Sequence, residues 1–247
     1  MSSFQEKLDE LRRMIDESRK IVGFTGAGIS VPSGIPDFRS ANGIYQQKLN
    51  RTYSPEEMVS HSFLFAHPEE FYEFYRDKMV YPEARPNAAH RLFARLAEEG
   101  HDVTIVTQNI DGLHDMAGSK KVLNLHGTIH RNYCVHCGRK YPLSAVTGCT
   151  GVPHCSCGGM IRPDVVLYEE MLDERVIDKA VKAIREADMM IIVGTSLVVY
   201  PAASFVHYYS GNKLALVNLS QTSMDHWANL CLNEDCEKVA KALLGDN

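Results

Sequence analysis

No apolar run in the 247-residue sequence approaches the length needed to cross a bilayer, so a helical membrane span is not expected. Its first twenty residues, MSSFQEKLDELRRMIDESRK, are too charged for a secretory leader, and a cytoplasmic protein is the expectation. An excess of positive charge is also missing: the formal net charge is -5 and the pI near 6.1, which disfavours nucleic acid as the principal partner. There are no internal repeats and no low-complexity segments. Without a leader, the seven cysteines point to a reducing compartment, and four of them lie in short-range pairs that suit a metal better than disulfides. The 45% hydrophobic content is enough for a sizeable core, either one large domain or one domain carrying an inserted lobe.

The stretch Ile21 to Arg39, IVGFTGAGISVPSGIPDFR, organises the reading. Ile21, Val22 and Phe24 read as a buried strand that runs into Gly26-Ala27-Gly28, where backbone N–H groups can approach a pyrophosphate without Cβ obstruction. The third fingerprint position is Val31 rather than glycine, so an ordinary dehydrogenase loop fits poorly. A restrained loop through Pro32 and Pro36 then delivers Asp37, Phe38 and Arg39 together, as a lid over a charged ligand would. Tyr45 lies close enough in sequence to touch the same ligand.

An amphipathic helix is expected where Phe4, Leu8, Leu11 and Ile15 recur at helical spacing. The aromatic-rich region from Tyr53 to Tyr81 is divided by prolines at 55, 68 and 82 into short helices, a small lobe rather than the next strand. Pro86 opens a helix whose face is Ala89, Leu92, Phe93 and Leu96, ending by Gly100. Strands are read at 103–106, 122–125, 165–167, 189–193 and 214–217, the last of the set, with a helix capped by Asp173 and another from Glu234 to Leu244.

Polar residues gather where these strands end. Gln108, Asn109, Ile110 and Asp111 leave the strand 103–106, either as a ligand site or as a plain helix cap. His126 leaves the strand 122–125; with an unperturbed pKa of about 6.5, a histidine is a natural general base near neutrality. Gly194, Thr195 and Ser196 leave the strand 189–193, and Asn218 the strand 214–217. Cys134-x-x-Cys137 and Cys155-x-Cys157 form two close thiol pairs suited to a tetrahedral, structural zinc site, with Cys149, His136 or His154 as substitutes for one member.

Assembled, these residues resemble the sirtuins, the NAD-dependent protein lysine deacylases, and most closely the bacterial members. The resemblance rests on Gly26-Ala27-Gly28-Ile29-Ser30, Gly34-Ile35-Pro36-Asp37-Phe38-Arg39, Gln108-Asn109-Ile110-Asp111, Leu125-His126-Gly127 and Gly194-Thr195-Ser196, in the family's order around a four-cysteine module. It implies an α/β fold, a Rossmann-like parallel-sheet domain with a small inserted helical and zinc-binding lobe. The large domain would comprise 1–36, 84–128 and 164–247, and the small lobe 37–83 and 129–163. Ala27, Val31, Phe38, Arg39, Tyr45, Gln108, Asn109, Ile110, Asp111 and His126 would shape the NAD site. Gly194, Thr195, Ser196 and Asn218 would hold the adenosine half, with Asp235 and Cys236 near the adenine. His126, Asn109 and Asp111 would be catalytic, with His126 as the base.

The resemblance further implies that NAD is consumed. The acetyl oxygen of acetyl-lysine attacks the anomeric carbon as nicotinamide leaves, His126 takes a proton from a ribose hydroxyl, and water completes release of lysine and O-acetyl-ADP-ribose. Partners would be acetylated proteins or peptides, added as a strand beside Val166 and Tyr168 on one side and Val198 on the other. The family's common Phe-Gly-Glu is here Tyr168-Glu169-Glu170, and Glu169 is expected to favour peptides with cationic flanks. The Tyr and Arg pair tied to acidic acyl groups is not evident in Phe38 through Lys48, which favours neutral ones. The competing functions are a mono-ADP-ribosyltransferase on the same NAD site and a non-catalytic NAD-sensing zinc protein; binding alone would need neither His126 nor Asn109.

Overall fold

The computed structural model describes residues 3–38, 43 and 53–246. Two expected site residues, Arg39 and Tyr45, lie outside the described residues. Six strands form a parallel sheet: β1 (Lys20–Thr25), β2 (Asp102–Thr107), β3 (Val122–Asn124), β7 (Met189–Val193), β8 (Leu214–Val217) and β9 (Leu230–Leu232), in the order β3-β2-β1-β7-β8-β9. Among the described residues, three further strands, β4 (Gly127–Cys134), β5 (Lys140–Tyr141) and β6 (Ile161–Val165), make a separate antiparallel sheet, β5-β4-β6.

The apolar strands are continuous because both faces of the parallel sheet are covered, with successive residues pointing to opposite sides. Ile21, Ile191 and Val217 enter one core with the helices Phe4–Asp16, Ala88–Glu98 and Cys236–Leu244. Val22, Ile192 and Leu216 enter the other with the helix Glu174–Glu186 and the 3-10 helix Ala202–Tyr208. A third core holds Phe71, Tyr72, Phe74 and Tyr75 against Cys134, Val146 and Ile161. The short helices between the prolines therefore pack on the cysteine-bearing sheet.

Two expectations on strands are corrected. The strand expected at 165–167 runs instead over Ile161–Val165 and belongs to the antiparallel sheet, because its partner is β4, which the sequence reading did not foresee. The stretch 214–217 is not the last strand, since Leu230–Leu232 pairs outside it. Directly after β1 the chain forms a 3-10 helix, Ala27–Ser33. Among the described residues no helix is long and apolar enough to cross a membrane.

Candidate active site and metal centre

The strand order reverses beside β1, whose chain continues to β2 on one side while β7 lies on the other. In open α/β sheets ligands bind beyond the carboxyl ends of strands at such a point. Gly26 donates its N–H to the Val193 carbonyl at 3.1 Å, and Gly28 to Gly194 at 2.8 Å, so the glycine turn after β1 lies on the one after β7. A Cβ on Gly194, where φ is 62°, would fall 2.2 Å from the Ile29 nitrogen, and one on Gly28 would fall 2.8 Å from the Gly194 Cα. Gly194→Ala is therefore expected to cost more than about 2 kcal/mol and to weaken nucleotide binding. Thermal unfolding and NAD titration check this, and a variant with parental stability would contradict the close approach.

Ser30, from the 3-10 helix, meets Asn109 and Asp111 from the loop after β2. The Ser30 hydroxyl donates to Asp111 Oδ2 at 2.7 Å and accepts from Asn109 Nδ2 at 3.1 Å, while Asn109 Nδ2 also donates to the Gly26 carbonyl at 3.2 Å. Behind them His90, whose Nδ1 accepts from the Asn87 N–H, turns Nε2 toward Ser30 Oγ at 3.4 Å. Burial pushes the His90 imidazole down to about 4, so it is neutral. Burial also raises the Asp111 carboxyl, against the opposing bonds from the Leu113 N–H and Ser30. Asp111 Oδ1 accepts from Leu113 N at 2.9 Å, so the plain cap reading of this loop also holds; the other oxygen faces Ser30. Ser30 stands within the glycine motif but is not among the expected site residues. A hydroxyl one turn beyond the glycines was the available signal.

His126 lies between β3 and β4. Its Nδ1 stands 2.8 Å from the Gln108 carbonyl, which can only accept; Nδ1 therefore carries the proton and Nε2 keeps its lone pair. Burial lowers its pKa below the ordinary value, more than the bond to Gln108 raises it. The same Gln108 donates Nε2 to Thr195 Oγ1 at 3.1 Å, joining the loops after β2 and β7. Half-buried Ala27 and exposed Val31 lie on the 3-10 helix, and Phe38 packs partly against the third core. Ile110 accepts the Ile129 N–H at 3.0 Å.

The remaining expected residues spread along the sheet edge. Thr195 is buried and Ser196 exposed. Asn218 Nδ2 donates to the Ser220 carbonyl at 2.8 Å. Asp235 caps the helix Cys236–Leu244 by accepting from the Glu237 and Lys238 N–H groups, and Cys236 is buried with its thiol pushed up to about 12 by that burial. Val166 donates its N–H to the His126 carbonyl at 3.0 Å, which puts the expected peptide edge beside the base. Tyr168 and Val198 are exposed, at 39% and 53%. Glu169 has φ of 75°, and its carboxylate accepts from the Ser62 N–H at 2.8 Å and hydroxyl at 2.9 Å. The side chain is exposed, with its carboxylate held against the start of the helix His61–Ala66.

The thiols of Cys134, Cys137, Cys155 and Cys157 all lie within 4.8 Å of one another. Cys134 and Cys157 are 3.5 Å apart at sulfur, and Cys137 and Cys155 3.6 Å. A tetrahedron of zinc–sulfur bonds of about 2.3 Å separates its sulfurs by about 3.8 Å, so the set fits zinc. A Cβ on Gly159 would come 2.7 Å from Cys134 Sγ, which explains the small residue behind the second pair. Cys149 stands apart, its thiol directed at the Ala145 and Val146 carbonyls. Neither it nor His136 nor His154 belongs to the converging set. Four thiolates complete a tetrahedral shell and leave no position for substrate, as in structural zinc.

A switch-point nucleotide site with a half-buried neutral histidine, beside a four-cysteine module, defines an α/β enzyme of the NAD-using kind. The Sir2 family model matches residues 26–201, and the chain belongs to the Sir2 family. It is 52% identical over 241 residues to the NAD-dependent protein deacetylase of Clostridium acetobutylicum, covering 97% of this chain and 98% of that one. It is 53% identical over 236 residues to the enzyme of the same description from Clostridium perfringens, covering 95% and 97%. A solved Sir2 structure with p53 peptide and NAD+ aligns with a TM-score of 0.84 at 40% identity, covering 97% of this chain and 98% of that one. Another, a Sir2 variant with deacetylated p53 peptide and 3'-O-acetyl ADP-ribose, aligns with a TM-score of 0.87 at 40% identity, covering 100% and 99%.

Proposed function

We propose that this protein is an NAD-dependent protein lysine deacetylase that transfers the acetyl group of acetyl-lysine to ADP-ribose, releasing nicotinamide and O-acetyl-ADP-ribose. The observation that carries the reading is His126, held neutral with Nε2 as its basic atom, next to the Ser30, Asn109 and Asp111 cluster. NAD, when bound, supplies an ADP-ribosyl group that loses nicotinamide and accepts the acetyl group.

The chain's residues divide the work. The Gly26–Gly28 turn, whose two glycine N–H groups bond the end of β7, gives the pyrophosphate close backbone approach at Ala27. Asn109 and Asp111 orient the nicotinamide end in a desolvated site, where their dipoles and charge act more strongly than in water. Thr195, Ser196 and Asn218 receive the adenosine half, with Asp235 and Cys236 as framework at the adenine end. His126 Nε2 accepts the proton of a ribose hydroxyl, so that the hydroxyl oxygen can attack the acetyl carbon. Val166, Tyr168 and Val198 offer the edges for an extended acetylated peptide. Zinc on the four cysteines holds its module together and takes no part in acyl transfer.

The residue ranges given for the large domain and small lobe are retained in this proposal. The third core, drawn mostly from 58–80 and 129–161, supports them, with Val165 and Leu167 of the large-domain range joining it and the last boundary falling inside β6. A cytoplasmic location is supported by seven cysteines that are all unpaired in the structure.

Because burial depresses the His126 pKa below its ordinary value of about 6.5, the base is mostly unprotonated at neutral pH. The acidic limb of kcat/KM is therefore expected below that pH, with no contribution from His126 between pH 7 and 8. A limb centred above it, abolished in His126→Ala, would contradict the desolvated-base assignment. The activity itself is tested by incubating an acetyl-lysine peptide with the protein, with and without NAD, and following the peptide mass. Loss of acetyl only with NAD supports the proposal; NAD breakdown with an unchanged peptide contradicts it.

A further inference from the structure

Two residues beyond Tyr168, the Glu170 carboxylate collects four N–H donors from three stretches of chain. Arg162, on β6, donates Nη1 at 2.6 Å and Nη2 at 3.0 Å. The Leu167 N–H donates at 2.9 Å and His61 Nδ1, at the start of the helix His61–Ala66, at 2.8 Å. Burial would raise the Glu170 carboxyl, but Arg162, Leu167 and His61 together bring it down to about 2. The same segment is sewn down through its backbone: Val166 N–H to the His126 carbonyl at 3.0 Å, Tyr168 N–H to Val59 at 3.1 Å, and His61 N–H to the Tyr168 carbonyl at 3.0 Å.

Stability alone does not explain this arrangement. The Arg162 side chain is 7% exposed and that of Glu170 18%, and a buried ion pair is often no more stabilising than an apolar pair of the same volume. A bidentate guanidinium and carboxylate fix orientation. What they orient is the segment 166–168, one end of which is bonded to the base residue and the other to the helical module.

We propose that Arg162, Glu170 and His61 are positioning residues, a clasp that sets the placement of the Val166–Tyr168 edge and thereby governs affinity for the acetylated peptide without touching NAD. The inference rests on the deacetylase reading above. It gives the exposed His61 ring, 50% accessible at its side chain, a role in peptide affinity that helix packing does not require.

The test uses the full zinc-loaded chain, with saturation curves for an acetyl-lysine peptide at fixed NAD and for NAD at fixed peptide. His61→Ala is expected to raise the peptide KM about 3-fold or more, and Glu170→Gln about 10-fold, with kcat and the NAD KM within about 2-fold of the parent. His61→Gln keeps an N–H donor for Glu170 and is expected to restore the peptide KM to near the parental value. Should Glu170→Gln fail to fold because Arg162 loses its counter-charge, the two His61 variants decide the matter alone. A parental peptide KM in His61→Ala, or a loss that moves peptide KM, NAD KM and kcat together, overturns the clasp. A parent chain that does not deacetylate with NAD overturns the functional reading and this inference with it, and its own inactivity distinguishes that case.

Discussion

His126→Ala is expected to lower kcat by about 10²–10⁴-fold, the usual contribution of a positioned general base, while NAD and peptide still bind. The reason lies in what surrounds the ring. The Gln108 carbonyl fixes the proton on Nδ1, and burial keeps the imidazole neutral, so removal of the ring deletes the basic nitrogen without leaving a buried charge behind. The Gln108 side chain bonds Thr195, and Val166 bonds the His126 backbone carbonyl, which alanine retains; the nucleotide loops and the peptide edge should therefore keep their places. Pre-steady-state measurement of nicotinamide release sharpens the test. If His126 acts on the ribose hydroxyl after nicotinamide departs, the variant should still exchange labelled nicotinamide into NAD in the presence of acetyl peptide. Loss of exchange in step with loss of deacetylation would instead put the residue in the first step.

Cys155→Ser is expected to lose zinc and unfold the antiparallel sheet, while Cys149→Ser keeps both. Structural zinc contributes apparent binding free energies of about 10–16 kcal/mol in small zinc-finger peptides, more than a three-stranded sheet with a two-residue strand could supply alone. Cys155 Sγ belongs to the set converging within 4.8 Å and accepts from the Tyr141 hydroxyl at 3.0 Å, whereas Cys149 points at helix carbonyls. Because the third core packs Phe71, Tyr72 and Tyr75 on this sheet, the loss should spread to the helices between 55 and 78. Metal content and near-ultraviolet circular dichroism of the two variants check this. Zinc retained in Cys155→Ser and lost in Cys149→Ser would reverse the assignment.

The glycine turns, the strand-end amides and the cysteine pairs were legible because each is a short stretch whose residue types have one economical use. Gly26 and Gly28 could be placed at a strand end since Ile21, Val22 and Phe24 precede them. The serine bonded to both Asn109 and Asp111 was not assigned, because Ser30, His90 and the loop after β2 meet only through the strand order β2-β1-β7, which no local pattern records. The antiparallel sheet was missed for another reason. Pro163 lies within β6 and the pairing with β4 shifts register between Thr128 and Asn132, so neither strand shows a clean alternation. β9 has only three residues, Leu230, Cys231 and Leu232, too few for a periodic signal. Glu169 illustrates a different limit. Its departure from the family's glycine was visible, but that the backbone keeps a glycine-like φ of 75° and turns the carboxylate to Ser62 depends on the position of the helix His61–Ala66.

The most direct measurement follows the fate of the acetyl group. An acetyl-lysine peptide labelled with carbon-13 in the acetyl carbonyl is incubated with the protein and NAD, and the products are resolved by mass spectrometry. The account predicts one nicotinamide and one free lysine per NAD consumed, with the label on O-acetyl-ADP-ribose. Label recovered as free acetate from the first turnover without NAD consumption, or NAD consumed while the peptide keeps its label, would contradict it.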